Sequence, residues 1–340
     1  MRVLVTGSAG FIAGYLIQEL LDSGHEVVGI DNYSKYGPVE KSFQHHLRFR
    51  EIEGDAKNVE LLKAALVGCD QFIAGAAMIG GIGYFHALAY DLLAENERIT
   101  AASVDAAIAA HRNGQLQKLT MLSSSMVYEN TAEFPTPEGA EQRSPPPTSS
   151  YGFQKLACEY FVRAAHQQYG LPFTICRPFN CIGVGERSAL SHASLPAGNT
   201  KLAMSHVVPD LILKILKGQD PLHILGGGNQ LRCYTYGGDL AKGIALTLAH
   251  PAALREDFNL STPVATSVLE LAQLIWQKIR GPEAPFRYVS DEAYQYDVQR
   301  RIPDTDKALR VLGFQASTSL ATALDEVIPW VQGEFQNGRL

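Results

Sequence analysis

Short apolar runs alternate with longer segments of helical period through the first half of this chain, and that alternation leaves few folds open. The runs RVLVT (2–6), EVVGI (26–30), LRFREIEG (47–54), QFIAGAA (71–77), LTMLSS (119–124) and FTICRP (173–178) have the length of buried strands. Residues 11–23, 58–67, 84–113 and 150–169 carry helical patterns between them. Strands separated by helix-length segments pair in parallel, because each crossover returns the chain to the same end of the sheet. An α/β fold with a doubly wound parallel sheet is therefore expected.

After residue 180 the rhythm changes. A Gly/Ser/Ala/Asn-rich stretch (183–200) leads to a helical pattern at 205–217, a short strand LHILG (222–226) and a helix at 238–249. SVLELAQLIWQKI (267–279) is strongly periodic, and a further helix is expected over 320–335. These segments predict a smaller, mostly helical lobe. The division is placed at 1–180 for the sheet domain and 181–340 for the lobe, with part of 237–262 returning to the sheet domain. TAEFPTPEGAEQRSPPPTSS (131–150), rich in Pro, Ser and Thr, reads as a surface loop that brings the motifs on either side of it to one cleft.

The 340 residues are 46% hydrophobic, enough for a large core, and the formal net charge of −6 is spread along the chain. Nucleic acid and anionic membranes demand concentrated positive charge, so neither is expected as a partner. An anionic small molecule needs only one or two placed arginines. The five cysteines are scattered without a Cys-x-x-Cys pair and the ten histidines lack metal-ligand spacing, so no disulfide or metal is expected. No apolar run approaches the ~18 residues of a membrane span, and MRVLV leads directly into a strand. A soluble cytoplasmic protein is the expectation.

The turn TGSAGFIAG (Thr6–Gly14) follows the first strand. Gly7 stands at the turn and Gly10 opens the helix, with Phe11 and Ile12 in its first turn. Ala13 replaces the third glycine, where a small residue suffices for close packing. Such a turn lets the backbone approach a pyrophosphate at a helix N-terminus. Asp31 ends the second strand, followed by Asn32. A carboxylate there bonds both ribose hydroxyls of an adenosine and repels a 2′-phosphate, favouring NAD over NADP. The turn marks the sheet as a Rossmann domain.

YGFQK sets Tyr151 and Lys155 four residues apart on one helical face. An ammonium beside a phenol favours phenolate and draws a tyrosine pKa down from ~10, which makes a usable base. SSSMVY ends the fifth predicted strand. Together with the glycine turn and Asp31, these motifs resemble the extended short-chain dehydrogenase/reductase family, and within it the NAD-dependent nucleotide-sugar epimerases and dehydratases. The resemblance runs over nearly the whole chain. It implies Ser124, Tyr151 and Lys155 as catalytic residues. It implies cofactor contacts at Gly7, Gly10, Phe11, Ile12, Asp31 and Asn32, at Asp55 and Ala56 in EGDAKN, at Ala76 and Ala77 in AGAA, and at Ser123. Asn96 and Thr100 sit where the family has its Asn-x-x-x-Thr helix, Asn96 as a cofactor residue.

For the substrate the resemblance implies Ser125 and Met126 beside the serine, Asn180 of RPFN on the sugar nucleotide's pyrophosphate, and Arg232 on the diphosphate. Val207, His223 and Leu225 fall around the base, and Asp297 matches a ribose-contacting carboxylate. Arg187 lies where UDP-glucuronate 4-epimerases hold a carboxylate. Arg301 falls at the position that gates pocket size in 4-epimerases. Tyr294 and Cys233 depart from the family's usual arginine and aspartate.

The implied first step is shared across the family. Tyr151 removes a sugar hydroxyl proton as the C4 hydride passes to NAD, Ser124 bonds the same oxygen, and Lys155 orients the nicotinamide ribose. Dehydratases, decarboxylases and 3,5-epimerases of the family add Asp-Glu, Glu or Cys just after the catalytic Ser/Thr, where this chain has Ser125 and Met126. Methionine transfers no proton. The expectation is therefore C4 inversion of a UDP-hexose or UDP-hexuronate. AAMIGGIG (76–83) resembles the sugar loop of GDP-mannose 3,5-epimerases and keeps that class as an alternative. A 2-epimerase, a dehydratase or decarboxylase, and a net dehydrogenase or reductase are the others, with a binding member bearing a relict site as the non-enzymatic one. The resemblance also implies a homodimer through helices 84–113 and 150–169.

Overall fold

The computed structural model describes residues 1–80, 88–186, 206–292 and 298–340. In the first half the elements are β1 (Arg2–Thr6), α1 (Phe11–Asp22), β2 (Glu26–Asp31), β3 (Phe49–Glu53), α2 (Val59–Leu66), β4 (Gln71–Ala74), α3 (Ala89–Arg112), β5 (Lys118–Leu122), α4 (Ser150–Tyr169) and β6 (Phe173–Pro178). The second half holds β7 (Cys181–Ile182), α5 (Val207–Leu216), β8 (Leu222–Leu225), β9 (Leu231–Arg232), β10 (Thr235–Tyr236) and α6 (Gly237–Ala249). It continues with β11 (Glu256–Leu260), β12 (Thr266–Ser267), α7 (Val268–Arg280), β13 (Tyr288–Asp291), β14 (Arg300–Arg301), α8 (Asp306–Leu312) and α9 (Leu320–Gln336).

Seven strands form one parallel sheet in the order β11-β6-β5-β4-β1-β2-β3. Side chains alternate across it as the strand period requires: Leu4 enters one apolar layer, Val3 and Val5 the other. The first layer lies under α2, α3 and α4, with Leu62, Ala106 and Val162 against Phe72. The second lies under α1, α6 and α8, with Leu16, Ile244 and Leu312 against Phe258. The chain leaves the sheet after β6 and returns through α6 and β11, which pairs with β6. A third apolar cluster joins α5, α7 and α9 to β8 as the smaller lobe, through Ile212, Trp276 and Val327.

The seventh strand, EDFNL, lacks the apolar run that marks the others. Its inner residues Phe258, Asn259 and Leu260 are buried all the same, because Asn259 finds polar partners in Tyr128 and the Thr136 carbonyl. The 131–150 segment is a loop with one short 3-10 turn at Ala140–Gln142, tied to the far end of the chain by a bridge between Thr136 and Pro303. All five cysteines are free thiols. Burial pushes Cys69 up to about 11 and Cys158, Cys176 and Cys233 up to about 12, so they behave as small apolar side chains. Among the described residues no helix is long and apolar enough to cross a membrane.

One charged cluster crosses the interior. Arg177 on β6 is fully buried and makes two bonds to Glu159 on α4, Nε to Oε1 at 2.7 Å and Nη2 to Oε2 at 2.6 Å. Its other contacts are Tyr128 Oη at 2.6 Å, Asp257 Oδ2 at 2.7 Å and Glu141 Oε1 at 3.1 Å. Asp257 also meets Lys307 at 2.8 Å and Arg163 at 3.3 Å. Burial opposes the Asp257 charge, but Arg177, Lys307 and Arg163 outweigh it and hold the carboxyl down at about 2. The ionised form therefore contributes stability that is complete above the ordinary aspartate value of ~3.9 and is lost as pH falls through about 2. Asp257→Asn is expected to lose about 2 kcal/mol at neutral pH in urea unfolding. It should also lose less than the parent between pH 4 and pH 2; equal acid sensitivity would assign that transition to other carboxylates.

Candidate active site

A cavity of about 980 Å³ opens at the C-terminal ends of β1, β4 and β5 and runs from the sheet domain into the smaller lobe. This is the switch point of the sheet, where neighbouring strands send their crossovers to opposite faces and leave a crevice. The volume suits a ligand larger than one nucleotide.

The glycine turn forms one wall. Gly7 has φ +78°, and a Cβ there would stand 3.0 Å from Ala76 Cα, so only glycine lets the first turn pack against the β4 turn. A Cβ on Gly10 would meet the Gly7 carbonyl at 2.9 Å. Gly10 caps α1 without a side-chain bond, and no acidic residue occupies the first turn. The opening N–H groups at Phe11 and Ile12 thus face the cavity as an anion site. Thr6 Oγ1 accepts the N–H groups of Gly75 and Ala76, each at 3.2 Å, and fixes the opposite turn where Ala77 also lines the wall. Asp31 accepts from Ala9 N at 3.0 Å and Tyr33 N at 2.7 Å; burial nevertheless raises its carboxyl above the usual range. Asn32, Asp55 and Ala56 line the same end.

The side chains expected to be catalytic, Ser124, Tyr151 and Lys155, all line the cavity. Ser124 ends the β5 segment in extended conformation and caps a 3-10 turn, Ser125–Tyr128, its Oγ accepting from Met126 N at 3.2 Å. The hydroxyl proton remains to donate into the cavity. Glu129 follows this turn and accepts Ser149 N and Oγ, and Ser149 in turn caps α4. The carboxylate at that helix N-terminus is favoured by the helix dipole, and it draws the serine motif and the tyrosine helix together. Tyr151 is buried in the first turn of α4. Lys155 Nζ stands 6.0 Å from the Tyr151 ring centre and donates to the Leu122 carbonyl at 2.9 Å. Around Tyr151 the wall is apolar, with Leu88, Leu92 and Met126 packed beside Met78 and Ile79.

In the smaller lobe Arg232 on β9 is buried and lines the cavity, and the parallel register sets Arg301 of β14 directly beside it. Both arginines line the cavity. Asn180 also lines the cavity, and its Oδ1 is buried with no hydrogen-bond partner, the state of a polar group that awaits a ligand. Val207, His223 and Leu225 form the outer wall. At His223 the main-chain N donates to Gln219 Oε1 at 3.0 Å, the carbonyl accepts from Lys214 Nζ at 3.1 Å, and the ring is held by Asp291 at 2.7 Å.

Two residues expected at the cofactor make polar contacts within the protein, and Ser123 also lines the cavity. Asn96 accepts from Met78 N at 2.7 Å and donates to Met78 O at 2.9 Å, shaping the loop that forms the wall rather than the cavity itself. Ser123 donates its hydroxyl to Glu159 at 2.6 Å. Thr100 is buried within α3. Arg187, Tyr294 and Asp297 lie outside the described residues.

Three groups on the cavity wall carried no signal in the sequence. Lys35 stands 4.7 Å over the Tyr36 ring, and burial pulls its ammonium down to about 8 against the attraction of Glu186. Glu186 and His206 bond one another. Burial opposes the Glu186 charge, but His206 and Lys35 outweigh it and hold the carboxyl below the usual range.

Residues 3–261 match the NAD dependent epimerase/dehydratase family. The chain is 28% identical over 348 residues to YtcB of Bacillus subtilis (strain 168), named an uncharacterized UDP-glucose epimerase, covering 99% of each protein. It is 25% identical to UDP-glucuronic acid decarboxylase 1 of Xenopus tropicalis over 338 residues, covering 99% of this chain and 73% of that one. Among solved structures, UDP-glucuronic acid 4-epimerase from Bacillus cereus, in complex with UDP-glucuronic acid and NAD, superimposes with a TM-score of 0.82. The identity there is 25%, over 98% of this chain and 99% of that one.

The chain belongs to the NAD dependent epimerase/dehydratase family. It is an NAD-dependent enzyme of the nucleotide-sugar epimerase type. NAD fits the residues present: the Gly7 and Gly10 cradle that a Cβ would fill, the uncapped start of α1 and the Asp31 carboxylate. A hydrogen bond to a charged group contributes about 1.5–3 kcal/mol, so Asp31→Ala should weaken NAD binding by roughly 10- to 100-fold in a fluorescence titration. Because burial raises the Asp31 carboxyl, parent affinity should begin to fall at a higher pH than an aspartate of ~3.9 would set. Unchanged affinity in the variant would remove Asp31 from the cofactor site.

Proposed function

We propose that this enzyme inverts C4 of a UDP-hexose or UDP-hexuronate through a transient 4-ketone, with NAD retained through the cycle. The observation that carries the reading is the surround of Tyr151. Ser124, Tyr151 and Lys155 converge on the cavity, while Ser125 and the apolar Met126 follow the serine where a second proton-transfer group would stand. One acid/base and one hydrogen-bond donor suffice for oxidation and re-reduction at a single carbon. They do not suffice to eliminate water.

In this reading the Tyr151 phenolate takes the proton of the C4 hydroxyl, and Ser124 donates to the same oxygen and holds it in line. Lys155 is oriented beside Tyr151 by its bond to the Leu122 carbonyl. NAD, held at the Gly7–Gly10 turn and Asp31, would supply the hydride acceptor and donor at C4. Between the two transfers the ketone turns within the cavity and exposes its other face, and Tyr151 then returns the proton. Arg232 and Arg301, side by side, suit the two phosphates, where a guanidinium bonds bidentately. Asn180 completes that grip, and Val207, His223 and Leu225 flank the base.

The purified protein, incubated separately with UDP-glucose, UDP-galactose, UDP-glucuronate and GDP-mannose, is expected to give a C4-inverted product from one UDP donor by proton NMR. Loss of water or carbon dioxide, inversion at another carbon, or steady NADH accumulation would each replace this reading with another. Tyr151→Phe should lower turnover by at least 10²-fold while sugar-nucleotide affinity stays close to the parent's.

We also read a homodimer. Tyr90, Phe153, Tyr160 and Phe161 are exposed aromatic side chains on α3 and α4, the two helices that pack together on one face of the sheet. Sedimentation should show a dimer and Tyr160→Glu a shift toward monomer; a monomeric parent would discard it.

A further inference from the structure

Tyr151, Lys155 and Glu159 recur every four residues and share one face of α4. The first two serve the reaction. Glu159 is more deeply buried than either, at 1% exposure, and a carboxylate is costly to bury unless its partners are good. Its partners are Ser123 just after β5, Arg177 on β6 and, at 3.7 Å, Arg163 on its own helix. Ser123 Oγ, one residue before Ser124, donates to Oε1 at 2.6 Å. Arg177 bonds both carboxylate oxygens and reaches on to Tyr128 Oη at 2.6 Å, the last residue of the turn that Ser124 caps. The segment from Ser123 to Tyr128 is thus held at both ends on one carboxylate–guanidinium pair. That pair is rooted in the helix that carries Tyr151 and Lys155.

We propose that Arg177 and Glu159 are positioning residues that set the separation between the Ser124 hydroxyl and the Tyr151–Lys155 couple. The inference rests on those three residues being catalytic and on no particular sugar or carbon. A guanidinium in two parallel bonds fixes angle as well as distance. The network thus does more than neutralise charge: Arg177 and Glu159 fix the serine against the base, whereas Glu141 touches Arg177 from the loop side and bonds neither Ser123 nor Tyr128. A displacement of about 1 Å at a reacting group costs on the order of 10²-fold in rate.

The test compares kcat and KM, for whichever donor the parent converts, in Arg177→Lys, Ser123→Ala and Glu141→Gln, alongside thermal melts. Arg177→Lys keeps the charge but loses the two-pronged bond. It is expected to lower kcat roughly 10²-fold with KM within about threefold of the parent. Ser123→Ala leaves the ion pair intact and covers the case in which Arg177→Lys does not fold. It should lower kcat by about tenfold, again without a change in KM. Glu141→Gln should lower the melting temperature and leave kcat in place. Losses of kcat that follow the melting temperature across all three variants would make the network structural alone and overturn the proposal. So would a folded Ser123→Ala of parental kcat. Tyr151→Phe in the same assay reports separately on the catalytic couple, so failure there is told apart from failure of the positioning role.

Discussion

Every functional contact in this cavity depends on how closely two backbone turns approach each other. The turn after β1 and the turn after β4 touch where Gly7 faces Ala76, and Thr6 bonds the second turn from below. With a side chain at position 7 the two crossovers would have to separate. The start of α1 would then no longer point its free N–H groups into the crevice. The demand is met by one atom's absence. From that approach follow the cofactor wall, the placement of Asp31 at the next strand end and the entry to the serine turn on β5.

Much of this was legible in the sequence because periodicity and glycine placement report on backbone. Six sheet strands followed from apolar runs, and the cofactor turn from Gly7, Gly10 and Asp31. The parts that were not legible have a common cause. β11 is half polar because Asn259 and Asp257 are paired inside the protein, and a sequence shows the polar residue but not its partner. Glu159 and Arg177 look like surface charges until the fold brings them together. Asn96 was placed by its motif, yet its amide serves the loop behind the cavity rather than the cavity. Arg301 is expected at the position that gates pocket size in 4-epimerases, and strand register sets it opposite Arg232, a neighbour that is invisible without the pairing.

The chemistry is spare. Tyr151 lies against an apolar wall of Met78, Ile79, Met126 and Leu92, with Ser124 and Lys155 lining the same cavity. In such surroundings the few polar groups act at short range with little competition from water. The charged residues near them are paired away from the reacting centre: Glu129 at the start of α4, Glu159 with Arg177, and Glu186 with His206. A site arranged this way favours a reaction whose end state has the same charge and oxidation level as its start.

The bridge between Thr136 and Pro303 joins two parts of the molecule that are far apart in the chain. Thr136 N donates to the Ile302 carbonyl at 2.7 Å, and Asp304 N to the Thr136 carbonyl at 2.8 Å. That carbonyl also accepts from Asn259, which holds Tyr128 at the end of the serine turn. Arg301 is the residue just before this stitch. The arm that carries Arg301 and the turn that presents Ser124 therefore hang from a common thread, and neither can shift far without the other registering it.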